Sequence, residues 1–256
     1  MFFAKRSIPV AWFRKFPNFG DALNPWLLER ITGRPVEPFD ILDPPEHPHL
    51  VAIGSILHFA LPQARAWGTG LMTADDELKG PPKTIHAVRG SLTRDALRAR
   101  GLAAPDILGD PALLAPRFYD PWIVRKADWG IVPHFTDRDH PWVRRCREDG
   151  ARVIDVFAPV RTVLRRIKGC RTILSSSLHG LIVAEAYGIP TRWIALGDQV
   201  VGDGFKFRDH YAALGLPEES AFPIRPDTRP GEVRETATRK KIPLDLDALL
   251  AALPEL

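Results

Sequence analysis

Ser175, Ser176 and Ser177, followed at once by Leu178, His179 and Gly180, form the densest run of chemically capable side chains in the sequence. Hydroxyls beside an imidazole can hold an anion and exchange a proton with it. Residues 172–174 ahead of the run are β-branched and apolar, and from Leu178 onward only Glu185 is charged until Gly188 and Pro190 stop the pattern. That pattern predicts a buried strand, a tight turn and a core helix. The turn then lies at a helix N-terminus, whose unpaired N–H groups and positive dipole end favour a phosphate or a carboxylate. His179 reads either as a proton donor to such a ligand or as a side chain that caps the helix.

Further candidates stand where an apolar run ends at a glycine. Residues 50–53 run into Gly54 and Ser55, residues 64–67 into Gly68, Thr69 and Gly70, and residues 84–88 into Arg89 and Gly90. Glycine turns let a ligand approach the backbone closely. Arg89 could grip a carboxylate or phosphate with its fork, or form a surface pair with Asp95. Asn18, Gly20 and Asp21 lie between a first strand over residues 8–13 and a first helix, for which Asn24 and Pro25 read as N-cap and first helical residue and Gly33 as the stop. Asp21 is there either a base for a hydroxyl proton or a turn residue. His134 follows a strand over residues 129–132. Lys206 and Arg208 stand beside Asp203 and Asp209, placed to orient a phosphate or to solvate one another. Trp26, Trp67, Trp122, Trp129, Trp142 and Trp193 could stack on a sugar ring or fill the core.

The elements that must position these groups alternate. Ser91 caps a helix over residues 92–100 that stops at Gly101, residues 107–108 read as a last strand of a first half, and residues 117–126 as a crossover. A second series follows, with strands over 151–156 and 191–196, a loop over 197–204, a helical part within 138–149, and helices over 160–167 and 205–214. Residues 225–241 are polar and read as exposed; residues 244–253 carry an amphipathic closing helix. Strands alternating with helices and turning at glycines predict an α/β chain with parallel, doubly wound sheets. Two halves, residues 1–120 and 121–256, would leave a cleft between them, although no internal sequence repeat is visible.

The 256 residues suffice for one large or two modest cores. A formal charge of +4 is too small to imply nucleic-acid binding and suits a small anionic ligand equally well. Cys146 and Cys170 form no metal-ligand spacing and no disulfide framework, so a reducing cytoplasm is the default. No stretch reaches the length of a membrane span.

The blocks Asn18-Phe-Gly-Asp, Ile53-Gly-Ser, Trp67-Gly-Thr-Gly, Val88-Arg-Gly, Leu108-Gly-Asp-Pro, Ser175-Ser-Ser-Leu-His-Gly and Lys206-Phe-Arg-Asp, in this order, resemble the polysaccharide pyruvyl transferase family. The resemblance implies two Rossmann-like lobes similar to the GT-B glycosyltransferases, an acceptor side in residues 1–120 and a donor side in residues 121–256. It implies transfer of a pyruvyl group from phosphoenolpyruvate to two hydroxyls of a saccharide, giving a cyclic ketal, with no cofactor beyond the donor and no metal. On this reading His179, Arg89 and Asp21 are catalytic. Asn18, Gly20, Asn24, Gly54, Ser55, Gly68, Thr69, His134, Ser175, Ser176, Ser177, Gly180 and Lys206 bind substrate. Two departures stand out: Ser177 where many members have an arginine, and Gly90 where many have an acidic residue. A nucleotide-sugar glycosyltransferase on the same fold and a non-catalytic binder of anionic glycans are the alternatives. A lipid-linked acceptor would bring the protein to the inner face of the membrane, and the run Arg239, Lys240 and Lys241 is either a lipid contact or an exposed linker.

Overall fold

A computed structural model describes residues 6–16, 18–197 and 203–255. The first series runs β1 (Ile8–Trp12), α1 (Phe19–Thr32), β2 (Val36–Asp40), β3 (His49–Val51), β4 (Ala64–Trp67), β5 (Thr84–Ala87) and α2 (Ser91–Ala99). A 3-10 turn (Pro111–Leu114) and α3 (Ala115–Phe118) lead across to the second. That series runs β6 (Gly130–Val132), α4 (Pro141–Glu148), β7 (Arg152–Val153), α5 (Val160–Lys168), β8 (Ile173–Ser175), α6 (Leu178–Ala186), β9 (Thr191–Ala195), α7 (Phe205–Ala213) and β10 (Phe222–Pro223). The chain ends with α8 (Pro230–Glu235) and α9 (Leu246–Ala251).

The strands make two five-stranded sheets, ordered β2-β1-β3-β4-β5 and β10-β9-β8-β6-β7, and every pair within them is parallel. Counted from its own first strand, each sheet has the same order, second-first-third-fourth-fifth. The repeat that is invisible in the sequence is therefore present in the topology. In such a sheet the winding reverses between the first and third strands, and ligands bind outside the carboxyl ends of the strands at that reversal. Here those points are β1/β3, paired through Val10 and Leu50, and β6/β8, paired through Ile131 and Leu174.

Helix α6 packs between the two units, against β8, β9 and α5 on one side and Pro111–Leu114 and α1 on the other. Its buried face includes Leu178 and the run from Gly180 to Glu185, which explains why its sequence is apolar all round. Glu185 is held in this core by Thr191 Oγ1, His210 Nε2 and Tyr211 OH at 2.8, 2.7 and 3.1 Å. The closing helix returns to the first unit: Leu249 is buried, and the indole N–H of Trp67 donates to its carbonyl at 2.8 Å.

Several expectations need correction. Helix α1 begins at Phe19 with Asn18 as N-cap, accepting from the N–H groups of Gly20 and Asp21, so Asn24 and Pro25 are interior. Proline leaves the carbonyl four residues back without its N–H partner. Asn24 covers that loss, its Nδ2 donating to Asp21 O at 3.2 Å. Strand β2 was not anticipated. It is an edge strand, where Pro38 costs no ladder bond to a missing neighbour. Residues 107–108 contribute only a bridge from Leu108 to Val88, and the strand expected over 151–156 shortens to β7. The stretch 225–241 is not a bare linker, since α8 buries Val233 and Thr238 bridges Thr191. Lys240, with 6% of its side chain exposed, binds Glu219 and Thr238, so residues 239–241 do not present three free charges. Most of the loop expected over 197–204 lies outside the described residues.

Candidate active site

The two reversal points open onto one cavity of about 520 Å³. From the end of β1 come Phe13, Asn18 and Asp21, from the end of β3 Gly54, Ser55 and Ile56, from the end of β6 His134 and Phe135, and from the end of β8 Ser177, Leu178 and His179. Lys206 closes it from α7. Eight of the residues singled out in the sequence thus line one space: Asn18, Asp21, Gly54, Ser55, His134, Ser177, His179 and Lys206.

His179 enters the cavity from the first turn of α6, with its ring against α1. A methyl group on Gly20 would come within 2.1 Å of Nδ1, so the glycine is what admits the imidazole. Its Nε2 faces Asp110 Oδ2 at 3.4 Å. Asp110 is fully buried, and its other oxygen accepts the N–H of Ala112 at 2.9 Å. The His–Asp contact is longer than a formed hydrogen bond, as catalytic pairs without substrate often are. Asp110 was passed over because its sequence context, Leu108-Gly-Asp-Pro, reads as a turn.

Lys206 is the one lysine or arginine among the described lining residues. It is 7% exposed and forms no ion pair with a described carboxylate, although the charges of Asp137 and Asp21 act on it. Burial, and then the positive charge of Arg89, lower its pKa to about 8. Burial also raises Asp21 to about 7, a shift reduced by the hydrogen bond from Asn18 Nδ2 at 2.5 Å. His134 is lowered to about 4, by burial first and by Lys206 second, so its ring is neutral near pH 7. An ammonium, a half-protonated carboxyl and the neutral His134 ring make a site that gains from an incoming anion.

The remaining expected residues lie behind the wall. Arg89 is fully buried and makes no surface pair with Asp95, which binds Arg94 instead. Its Nε donates to Asp209 Oδ2 at 2.9 Å, one terminal nitrogen to Ser55 Oγ at 2.6 Å and the other to Leu71 O at 2.7 Å. It therefore positions Ser55 and does not reach the cavity. Asn24 clamps the end of β3, exchanging bonds with the N–H and C=O of Ile53 at 2.8 and 3.0 Å. Thr69 Oγ1 donates to Gly54 O at 2.8 Å, while Gly68 (φ 77°) packs where a methyl would meet Pro111 at 2.4 Å. Ser175 Oγ lies 2.7 Å from Val132 O and accepts the N–H of Ser177 at 3.0 Å. Ser176 Oγ donates to buried Asp137 at 2.6 Å and accepts the N–H of His134 at 2.9 Å. Gly180 leaves room for Ser175 and Val132. Of the three serines, Ser177 alone lines the cavity. Arg208 is turned to Asp203, away from any ligand role.

None of the tryptophans lines the cavity. Trp67, Trp129 and Trp142 are core, Trp193 stacks on Phe207 with centroids 4.6 Å apart, and exposed Trp122 lies elsewhere. Phenylalanines take their place: Phe13, Phe59 and Phe135 form an apolar wall. Phe16 stacks on Phe135 at 6.2 Å and Phe157 meets it edge-on at 6.3 Å, continuing the wall to the surface. Opposite His179, the first unit contributes His58, Met72, Thr73 and Asp76, which no motif signalled. Among the described residues no group of three or more His, Cys, Asp or Glu side chains could hold a metal ion. Cys146 and Cys170 are buried, and burial raises their thiols to about 12 and about 11, so neither is a ready nucleophile.

Comparison with known proteins gives a consistent picture. The family model described as polysaccharide pyruvyl transferase matches residues 80–198. An uncharacterized protein of Acanthamoeba polyphaga mimivirus is 28% identical over 224 residues, covering 84% of this chain and 77% of that protein. The succinoglycan biosynthesis protein ExoV of Rhizobium meliloti is 30% identical over 221 residues, covering 81% of this chain and 65% of that protein. The chain thus spans a little under two thirds of the length of the second relative. No solved structure matches.

Proposed function

We propose, from the match of residues 80–198 to the polysaccharide pyruvyl transferase model and the similarity to ExoV, that this chain moves a pyruvyl group from phosphoenolpyruvate to a saccharide in the assembly of an exopolysaccharide. The observation that carries this reading is the cavity at the two reversal points, with Lys206 and His179 on its wall and buried Asp110 behind His179. On this reading the second unit holds the donor and the first the acceptor, a GT-B-like disposition that the two sheets of like order support.

Phosphoenolpyruvate brings a phosphate and a carboxylate. Lys206 and the N-terminus of α6 beside Ser177 supply donors for them, and Ser177 leaves open the space an arginine would occupy. Donors fixed in a largely buried site stabilise the developing charge without reorganising. His179 gives its proton to the methylene carbon, and C2 takes up the positive charge so formed. A saccharide hydroxyl loses its proton and bonds to C2; the C2–O bond to phosphate then breaks, a second hydroxyl closes on C2 and inorganic phosphate leaves. Of the two hydroxyl protons, one offsets that given by His179 and one departs with the phosphate. Asp110 holds the imidazole in orientation throughout.

The phenylalanine wall suits the apolar face of a sugar ring, the part first assigned to tryptophan. A lipid carrier on the saccharide would bring the protein to the inner membrane face; among the described residues no helix is long and apolar enough to cross a membrane. The test is phosphate release from phosphoenolpyruvate with a panel of oligosaccharides, joined to thermal-shift measurement. Stabilisation by phosphoenolpyruvate but not by UDP or CMP supports the reading; the reverse pattern supports a nucleotide-sugar glycosyltransferase.

A further inference from the structure

Ketal formation needs an acid at the methylene carbon and a base at the acceptor hydroxyl, and His179 can be only one of these in a given step. Asp21, the base suggested by the sequence, is a poor match. Its carboxyl is buried, already bonded to Asn18, and half-protonated near pH 7. On the wall contributed by the first unit, His58 and Asp76 form a second pair. His58 lies in a short 3-10 turn (Leu57–Phe59) anchored to the glycine turns of the cavity, the N–H of Leu57 donating to Gly70 O at 3.1 Å. Its Nδ1 is 3.3 Å from Asp76 Oδ2. Asp76 is fixed in turn by the N–H groups of Met72 and Thr73 at 2.6 and 3.1 Å and by Thr73 Oγ1 at 2.6 Å. Asp76, held by Met72 and Thr73, therefore faces one imidazole at the cavity, and none of these three residues is part of a recognised motif.

Resting on the reading above, we infer that His58 is the base that accepts the acceptor hydroxyl proton, with Asp76 as its positioning residue. Asp76 takes the Nδ1–H side of the ring, which leaves the Nε2 lone pair for the substrate. The hydroxyl O–H bond breaks toward Nε2 as its oxygen bonds to C2, while His179 on the facing wall protonates C3. The two walls thus carry two His–Asp pairs with opposite tasks. Burial lowers the His58 pKa, Asp76 pulls it back up and Lys79 lowers it a little further, so the ring is a neutral base near pH 7. Asp21, His134, His179 and Lys206 share the cavity with it.

The experiment compares wild type, His58→Gln, His58→Ala and Asp76→Asn, with phosphoenolpyruvate and an oligosaccharide that wild type turns over. Both His58 variants should lose at least about 100-fold in kcat yet keep the wild-type thermal shift with phosphoenolpyruvate, which also shows that they fold. Asp76→Asn should lose less in kcat and move the acid limb of kcat/KM to lower pH, because it removes the group that raises His58. A kcat near wild type in His58→Gln, an unmoved acid limb in Asp76→Asn, or a loss confined to donor binding would overturn the assignment while leaving the proposed reaction standing. Wild type that neither binds phosphoenolpyruvate nor releases phosphate from it overturns the reaction and the base together.

Discussion

Arg89 and Asp209 form a fully buried ion pair that ties the turn after β5 to helix α7, with Asp209 Oδ2 at 2.9 Å from both Nε and a terminal nitrogen. The same carboxylate caps helix α2, accepting from Thr93 N at 2.8 Å and Thr93 Oγ1 at 2.7 Å, because the N-cap residue Gly90 has no side chain to do so. A methyl group on Gly90 would come within 2.0 Å of Asp209 O. An aspartate from the second unit therefore stands beside Gly90, the position where the family resemblance implies an acidic residue. Removing one partner of a buried pair strands the other charge, so Arg89→Ala and Asp209→Ala should each cost about 3–5 kcal/mol in urea unfolding. Arg89→Lys should fail to rescue, since one ammonium cannot serve Asp209, Ser55 and Leu71 together.

Lys206 should dominate donor binding. A charge-assisted contact of this kind is worth about 1.5–3 kcal/mol, so Lys206→Met should raise KM for phosphoenolpyruvate by about 10- to 100-fold, with KM for the saccharide nearly unchanged. Ser177→Arg adds a second cation to the cavity wall, at the position where the resemblance implies one, and should lower that KM in the wild-type background. Steady-state kinetics with each substrate varied in turn checks both. An equal rise in the two KM values for Lys206→Met would assign the lysine to the general shape of the site instead.

The alternation of strands and helices was legible because β3, β4 and β5 lie in short apolar runs that lead into Gly54, Gly68 and Arg89-Gly90, and because stops such as Gly33 (φ 62°) are real left-handed caps. What failed was whatever depended on a distant partner. Asn24 and Pro25 looked like a helix start; the amide of Asn24 that offsets the proline is invisible without the fold. Arg89 looked like a ligand contact because its partners Ser55 and Asp209 lie 34 and 120 positions away. His58 and Asp76 carry no local signature, and the block that holds Asp110 gives no sign that its carboxylate meets His179. The sequence located the walls of the cavity and missed the pairs that orient its imidazoles.

Burial of Asp21 makes stability depend on pH with a definite sign. Its carboxyl is raised from 3.8 to about 7, so between those values the folded state keeps a proton that the unfolded chain has released. Stability from this group is then lost as pH rises across that window, by about 1.4 kcal/mol per pH unit at most, and is level above it. Asp21→Asn, which can still accept from Asn18, should show little gain near pH 4 and its full gain near pH 8. Urea midpoints at several pH values test this, and a pH-independent difference would show that Asp21 is ionised throughout.

The last prediction separates the proton donor from what holds it. His179→Ala removes the proposed acid at a position 13% exposed in its side chain, so it should lose transfer by at least about 100-fold with little change in unfolding midpoint. Asp110→Asn keeps size but replaces a carboxylate with an amide that can no longer orient and stabilise the protonated ring, so activity should fall by about 10- to 100-fold. Gly20→Ala touches neither group chemically, yet its new methyl would come within 2.1 Å of Nδ1 and must push the imidazole away. If His179 acts through position as well as identity, Gly20→Ala should reproduce the loss of kcat while phosphoenolpyruvate still raises the melting temperature. A Gly20→Ala enzyme with wild-type kcat would mean that the imidazole need not occupy the place where Gly20 admits it, and the role of proton donor would pass to another residue of the cavity.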